Sequence, residues 1–157
     1  MSTGPERGHM VEVYMDGACI PKNLGGTPVW GFILLRDNIP IDTKGGLAGA
    51  ESSRPATSSV AEYEAFINAL RHVRSLGWDQ DKIVVYTDSE PLQKQLRDEW
   101  KVNPGLLTLY KKAKTLMSNL PFLEVRRIPR SQNQVAHRAT RAAYYEASLA
   151  KLQKLRR

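Results

Sequence analysis

The chain has 157 residues, 41% of them hydrophobic and 25% charged, which is the composition of a single globular domain with a substantial core. Its one cysteine, Cys19, excludes an internal disulfide and fits a reducing compartment, and no apolar run is long enough for a transmembrane helix or a signal peptide. We therefore expect a monomeric, cytoplasmic protein that makes no contact with a membrane.

The net charge of +7 is unevenly distributed along the chain. Residues 1–100 carry 10 basic and 14 acidic side chains, a net of −4, whereas residues 101–157 carry 13 basic and two acidic ones, a net of +11. Such a division suits a protein that holds a polyanion and also gathers carboxylates around cations. A solvated basic helix that keeps the protein in solution explains the charge equally well.

One domain is predicted over residues 11–148, and the two ends of the chain are predicted to lie outside it. Residues 1–10 are predicted to be a disordered tail, in which Gly8-His9-Met10 resembles a cloning remnant. Residues 149–157 are predicted to be the basic end of the last helix or a tail. Three leucines at helical spacing in this region could bind a partner helix, although we expect them to pack on the domain itself; they are Leu149, Leu152 and Leu155.

The predicted elements follow from hydrophobic periodicity and from turn residues. The segment 30–35 is apolar throughout, so it is expected to be buried on both faces of a sheet. Pro40 places the third strand near an edge, and Gly77 is expected to end the longest helix. The elements are strands 11–20, 30–35 and 39–47, helix 58–76, strand 82–87, helices 89–100 and 105–120, strand 122–128 and a basic helix 132–155.

This order, βββαβααβα, predicts an α/β fold with a mixed five-stranded sheet flanked by helices. Three strands joined by short connections form an antiparallel meander, and the two later strands, each preceded by a helix, are expected to be parallel. A loop over residues 21–28 and a polar connection over residues 48–57 link the first elements.

Three acidic residues lie where predicted elements begin or end. Asp16 is on the first strand, Glu62 is in the first turn of the long helix, and Asp88 directly follows the fourth strand. If the first and fourth strands are neighbours and the helix crosses them, the three carboxylates meet at one edge of the sheet. Divalent cations that prefer oxygen, Mg²⁺ or Mn²⁺, would neutralise their repulsion.

Each of these carboxylates also has a structural interpretation. Asp16-Gly17 is a common hairpin-turn dipeptide. Ser59-x-x-Glu62 matches a capping box, and Asp88 could be a turn residue stabilised by the N-terminus of the next helix.

Four motifs occur in an order and element context that is more specific than any of them alone. They are Tyr14-Met15-Asp16-Gly17-Ala18 with the later Trp30-Gly31; Thr57-Ser58-Ser59-Val60-Ala61-Glu62-Tyr63-Glu64-Ala65; Tyr86-Thr87-Asp88-Ser89; and Arg127-Ile128-Pro129-Arg130-Ser131-Gln132-Asn133-Gln134-Val135-Ala136-His137. With these motifs the chain resembles the type 1 ribonucleases H over residues 11–147.

The resemblance implies a ribonuclease H-like fold and endonucleolytic cleavage of the RNA strand of RNA/DNA hybrids. Two metal ions would be held by Asp16, Glu62 and Asp88, while Glu64, two positions from Glu62 on the helix, would point elsewhere. The stretch 99–101 resembles the short form of the family, which lacks a basic helical insertion.

The resemblance also implies substrate contacts. Backbone groups near Gly17 and Cys19, together with Ser58 and Ser59, would contact 2′-hydroxyls in the minor groove, and Thr57 resembles a residue that binds a DNA-strand phosphate. The candidates for contacts with the nucleic-acid backbone are Arg130, Arg138, Arg141, Lys111 and Lys112.

His137 is a departure from the family pattern, which usually has a final aspartate at this position. We count His137 among the catalytic and metal-binding residues, although imidazole suits softer divalent metals better than Mg²⁺. It could instead hydrogen-bond a metal-bound water, face solvent as an ordinary helix residue, or mark weakened catalysis. In the last case the chain would be a module that binds hybrid or double-stranded RNA without turnover.

Overall fold

The computed structural model describes residues 8–21, 26–49 and 57–156. The predicted tail up to residue 7, residues 22–25 of the loop 21–28 and residues 50–56 of the connection 48–57 therefore lie outside the described residues. The strands are β1 Met10–Ile20, β2 Thr27–Arg36, β3 Ile39–Leu47, β4 Lys82–Thr87 and β5 Leu123–Arg127. β1 thus begins one residue before the domain boundary predicted at residue 11.

The strands and helices follow each other in the predicted order, βββαβααβα. The helices are α1 Ser58–Ser75, α2 Glu90–Leu96, α3 Leu107–Ser118 and α4 Gln134–Leu155, with short 3-10 turns at Pro104–Leu106 and Arg130–Gln132. Across the described ranges, none of these helices combines the length and the apolar character that crossing a bilayer requires.

The sheet has the strand order β3-β2-β1-β4-β5. Pairing is antiparallel between β1 and β2 and between β2 and β3, and parallel between β1 and β4 and between β4 and β5. The predicted mixed sheet is therefore confirmed, with β1 at its centre.

The main hydrophobic core lies between the sheet and α1. Alternate residues of β1 point to this face, as the period of two in a strand requires, and are fully buried. The apolar stripe of α1 covers them with Tyr63, Phe66, Ile67 and Leu70, so burial of this interface accounts for much of the hydrophobic stabilisation. The core includes Val11, Val13, Met15, Phe32, Leu34, Tyr63, Phe66, Ile67, Leu70, Ile83 and Val85.

On the opposite face of the sheet, α4 packs against β1, β2 and β3. A Cβ atom on Gly31 would lie 2.7 Å from the backbone nitrogen of Thr140, and one on Gly45 would lie 2.9 Å from Cβ of Ala143. Beyond these glycines α4 no longer covers the strands, and Ile33 remains partly exposed. The prediction that the segment 30–35 is buried on both faces is therefore wrong.

The N-terminus of α1 differs from the prediction, whereas its C-terminal stop agrees with it. Thr57 is the N-cap, and its hydroxyl accepts a hydrogen bond from the backbone nitrogen of Val60. Ser59 is already helical, so the capping box predicted for Ser59 and Glu62 does not form, and Glu62 lies in the second turn. Gly77 follows the helix with φ +77°, as predicted for a C-terminal stop.

α2 ends at Leu96 rather than near residue 100. Asp98 adopts a left-handed conformation with φ +60°, and the backbone nitrogen of Glu99 donates to the carbonyl of Lys94. This is a Schellman motif with Asp98 in the position usually held by glycine. The sequence contains no glycine there, which is why the predicted helix was too long.

α4 extends beyond the sheet into solvent. It begins at Gln134, two residues later than predicted, because the residues before it form a 3-10 turn. Its last leucines are exposed, with Leu149 at 58%, Leu152 at 53% and Leu155 at 81%. The expectation that they pack on the domain is wrong, since the sheet ends before they are reached.

Candidate active site

The parallel pairing of β1 and β4 aligns two of the predicted acidic residues. Tyr14 lies opposite Tyr86 in the register, and their rings stack with centroids 4.6 Å apart. Asp16 and Asp88 each follow two residues later, so both carboxylates reach the same edge of the sheet. Asp16 is only 5% exposed.

Gly17 allows α1 to approach this edge. It lies within β1, so Asp16-Gly17 is not a hairpin turn. A Cβ atom at Gly17 would lie 2.3 Å from the backbone carbon of Ala61 and from the backbone nitrogen of Glu62. No side chain fits there, and the lack of one brings Glu62 close to the carboxylates of the two strands.

His137 lies between the two strand carboxylates. Its Nδ1 is 2.9 Å from Oδ2 of Asp16, and its Nε2 is 3.2 Å from Oδ2 of Asp88. The second contact does not have hydrogen-bond geometry, so Nε2 is buried without a hydrogen-bond partner among the described residues. His137 is therefore not a solvent-facing helix residue, which excludes that interpretation.

Two further residues at the start of α4 hold this arrangement together. The buried amide of Asn133 donates from Nδ2 to the carbonyl of Met15 at 2.9 Å and lies 3.4 Å from Oδ2 of Asp88. The hydroxyl of Thr140 lies 3.0 Å from Oδ2 of Asp16. Through these contacts α4 is tied to both central strands.

Glu62 has the most perturbed carboxyl of the site. Burial, together with the negative charges of Asp16 and Asp88, raises its pKa from 4.5 to about 7, while a hydrogen bond with the Ser89 hydroxyl opposes the shift. Ser89 also caps α2 by accepting from the backbone nitrogen of Leu92. Burial of Glu62 beside two other carboxylates thus opposes its ionisation.

These side chains line one cavity of about 540 Å³. Eight of the predicted site residues line it, and they are Asp16, Gly17, Cys19, Ser58, Glu62, Asp88, Arg130 and His137. Glu64 is elsewhere, buried and accepting a hydrogen bond from the backbone nitrogen of Gly49 at 2.6 Å, as expected for the residue that points away.

Five predicted substrate contacts do not line the cavity, and two of them, Lys111 and Lys112, lie on α3. Thr57 and Ser59 are exposed at the start of α1, and Arg138 is exposed on α4. Their proposed roles in binding substrate stay predictions. Arg141, which follows His137 by one helical turn, does line the cavity.

Asn133 and Thr140 belong to the site although neither was predicted from the sequence to have a role in it. Thr140 has a detectable signal, because residues three apart on a helix share a face, and Thr140 follows His137 at that spacing. Asn133 has none, since its amide reaches a backbone carbonyl on a strand that is 118 positions earlier in the chain.

The side chains present suit a divalent cation. Asp16, Asp88 and His137 each offer a ligand atom, and these atoms lie within 4.8 Å of one another. Nε2 of His137 is buried, and no residue in the described ranges gives it a hydrogen bond. An imidazole with carboxylates is a donor set that transition-metal ions accept. Burial and, to a smaller extent, the neighbouring carboxylates raise the pKa of Glu62, so a cation in the site would favour its ionised form.

The fold and the site together define a class of protein. The fold is the ribonuclease H fold, which has a mixed sheet in the order β3-β2-β1-β4-β5 with helices on its faces. The site adds one carboxylate within β1 and one directly after β4. A family model described as reverse transcriptase-like matches residues 33–143. The chain belongs to this family.

Known proteins of similar sequence and structure are named ribonucleases H. Ribonuclease HI of Halobacterium salinarum is 31% identical over 133 residues, which is 84% of this chain. The N-terminal RNase H domain of a Mycobacterium tuberculosis protein superposes with a TM-score of 0.76 at 26% identity, covering 90% of this chain and 98% of that one. LC11-RNase H1 in complex with an RNA/DNA hybrid superposes with a TM-score of 0.75 at 26% identity, covering 87% and 98% of the two chains.

The curated relatives are longer than the match. The aligned region spans 63% of the Halobacterium protein and 22% of the bifunctional mycobacterial protein. The similarity therefore concerns the ribonuclease H-like part of these relatives.

Proposed function

We propose that this chain is a divalent-metal-dependent ribonuclease H that hydrolyses the RNA strand of RNA/DNA hybrids endonucleolytically. The observation that carries the proposal is the convergence of Asp16, Glu62 and Asp88, from three separate elements, on one cavity beside His137. The hybrid-bound relative LC11-RNase H1 supports the choice of substrate.

The cofactor in this proposal is two divalent ions, Mg²⁺ or Mn²⁺. When bound, such ions activate water as a nucleophile and stabilise the oxygen that leaves the phosphodiester. Asp16 and Asp88 would hold them from the two central strands, and Glu62 would contribute a third carboxylate once it is ionised. His137 adds a nitrogen donor, which favours Mn²⁺ over Mg²⁺ because Mg²⁺ strongly prefers oxygen.

The chain's own residues position the substrate. Backbone groups at Gly17 and Cys19 and the hydroxyl of Ser58 line the cavity, where they can distinguish RNA by its 2′-hydroxyls. Arg130 and Arg141 line the same cavity and provide positive charge for backbone phosphates. We keep Thr57, Ser59 and Arg138 as contacts at the rim, outside the cavity.

The test is a cleavage assay on an RNA/DNA hybrid labelled on its RNA strand, in the presence of Mg²⁺ or Mn²⁺. It compares the wild-type chain with the variants Asp16→Asn and Asp88→Asn. Each variant keeps the shape of the side chain and removes a charged ligand, so we expect cleavage to fall by at least about a hundredfold, or about 3 kcal/mol. Persistent cleavage by both variants would refute the assignment.

Asp98→Asn is the matched control. Asp98 is an exposed aspartate at the end of α2, and asparagine tolerates its left-handed backbone. This variant is expected to cleave like the wild type, so a loss in the other two cannot be attributed to an Asp→Asn change as such.

A second candidate function is a module that binds hybrid or double-stranded RNA without cleaving it. The contacts of His137 with both Asp16 and Asp88 favour it, because a side chain that stays between the carboxylates keeps an ion from them. It predicts that the wild-type chain retains hybrid on a filter but leaves it uncut with any divalent ion.

We also propose that the chain acts as a cytoplasmic monomer without a membrane partner, as the composition suggests. Sedimentation at several concentrations tests the oligomeric state, and a mass that rises towards that of a dimer would contradict it.

A further inference from the structure

Thr140 lies in the site but is neither charged nor a usual ligand of metal ions. It is 1% exposed, on the face of α4 that meets β1 and β2. Its Oγ1 lies 3.0 Å from Oδ2 of Asp16 and 2.8 Å from the carbonyl oxygen of His137.

The hydroxyl has one proton for these two acceptors. The contact with the His137 carbonyl is the local bond that threonine makes to its own helix, whereas the contact with Asp16 is long-range. A hydrogen bond to an ionised carboxylate is about twice as strong as one between neutral groups, so the proton is expected to favour Asp16 when this residue is charged.

Oδ2 of Asp16 receives two contacts from α4. One comes from Nδ1 of His137 at 2.9 Å, and the other comes from Thr140. With Oδ2 occupied in this way, Oδ1 is the oxygen left for a cation. Because the side chain of threonine is branched at Cβ, its rotamer is restricted and its hydroxyl is held in place.

We propose that Thr140 is a positioning residue that fixes the carboxylate of Asp16 for metal binding. This inference rests on the proposed function, since it names the residue that prepares Asp16 as a ligand. In this role Thr140 acts through Asp16 and is not itself a ligand of the metal. Groups in this outer position typically change metal affinity by about 10-fold to 100-fold.

The test is calorimetric titration of Mn²⁺ into the protein without nucleic acid. Thr140→Val keeps the shape and removes the hydroxyl, so we expect the dissociation constant to rise about tenfold. Thr140→Ser restores the hydroxyl and is expected to bind within about threefold of the wild type, because only the rotamer restriction is lost. Wild-type affinity in a folded Thr140→Val variant would overturn the inference.

Thr115→Val is the matched control. Thr115 is exposed on α3 and makes the same kind of bond to its own helix, to the carbonyl of Lys111 at 3.0 Å. Its removal should leave Mn²⁺ binding unchanged. If Thr140→Val does not fold, Thr140→Ala, which removes the methyl group as well, takes its place and must show the same weakening.

Cleavage of hybrid separates this inference from the proposed function. If Thr140 positions a ligand, rising Mn²⁺ concentration should restore cleavage by Thr140→Val, whereas a merely structural defect would not respond. A wild-type chain that binds Mn²⁺ but cuts no hybrid contradicts the proposed function and leaves the calorimetric comparison intact. Equal binding by wild type and Thr140→Val, with cleavage present, contradicts only the inference.

Discussion

Gly31 and Gly45 lie directly opposite each other on β2 and β3, and α4 rests on the surface that they leave free of side chains. Gly31 is also the pairing partner of Asp16 across β1 and β2. The close approach of α4 at Gly31 therefore sets how near the residues of this helix come to Asp16.

The first prediction concerns this contact. Gly31→Ala should destabilise the protein by about 1–3 kcal/mol, because the new methyl group would overlap the backbone of α4. Cleavage should fall as well, since α4 carries His137. Urea unfolding and the hybrid assay measure the two effects.

Gly46→Ala is the control for this prediction. Gly46 is next to Gly45 and faces the other side of the sheet, where the atoms nearest to a Cβ belong to the side chain of Trp30, at 3.1 Å. A side chain can move more easily than a helix backbone, so the cost should be smaller. An equal or larger cost for Gly46→Ala would contradict the importance of the α4 contact.

The second prediction is a pH dependence of stability. The pKa of Glu62 is about 7 in the folded protein against an ordinary value of 4.5, so the folded state binds this proton more tightly than the unfolded state. The resulting stability is fully present below pH 4.5 and is lost as the pH rises through 7. The loss should be on the order of 3 kcal/mol in metal-free protein.

Glu62→Gln isolates this effect. Glutamine has no charge to bury, so the variant should lack this part of the pH dependence and be more stable than the wild type at pH 8 when metal is absent. Urea unfolding in the presence of a chelator at pH 5 and pH 8 measures the difference. Parallel stability curves for the two proteins would show that burial of Glu62 has no such cost.

The third prediction concerns metal preference. His137→Asp replaces a nitrogen donor by oxygen, so the ratio of the cleavage rate in Mn²⁺ to that in Mg²⁺ should fall at least severalfold. The ratio is measured on one preparation, which removes differences in folding or concentration. An unchanged ratio would indicate that His137 does not influence the ions.

The fourth prediction concerns the salt dependence of hybrid binding. Arg130→Ala and Arg141→Ala should each reduce the slope of the logarithm of affinity against the logarithm of salt concentration by about 1, if each side chain contacts one phosphate. Binding is measured with chelator present, so that no cleavage occurs. Arg74→Ala, an exposed change at the far end of α1 from Glu62, should leave the slope as it is.

The fifth prediction compares two leucines. Leu149 is 58% exposed and Leu109 is 1% exposed. Leu109→Ala should cost about 2–5 kcal/mol of unfolding free energy through the cavity it leaves, whereas Leu149→Ala should change it by less than about 0.5 kcal/mol. A large cost at Leu149 would mean that its side chain is covered in solution.

The sequence was sufficient for the order of elements and for the mixed sheet, because those depend on local periodicity and on turn residues. It also led to Asp16, Glu62 and Asp88, since acidic residues in strand and helix contexts are conspicuous. The end of α2 was missed because Asp98 takes a conformation that no local signal marks.

Contacts between distant segments were not predictable in the same way. The amide of Asn133 donates to the backbone carbonyl of Met15. Every residue has a backbone carbonyl, so the sequence does not show which of them accepts this hydrogen bond. The exposure of Leu152 depends on where the sheet stops beneath α4, which the periodicity of the helix does not encode.

The alignment of Tyr14 with Tyr86 has a consequence for how this sequence can change over generations. Side chains alternate between the two faces of a strand, so gaining or losing one residue between Met10 and Asp16 would turn the aspartate towards α1 and away from Asp88. Insertions and deletions should therefore be tolerated before β1 and excluded within it, because the residue count of this strand decides which face Asp16 occupies.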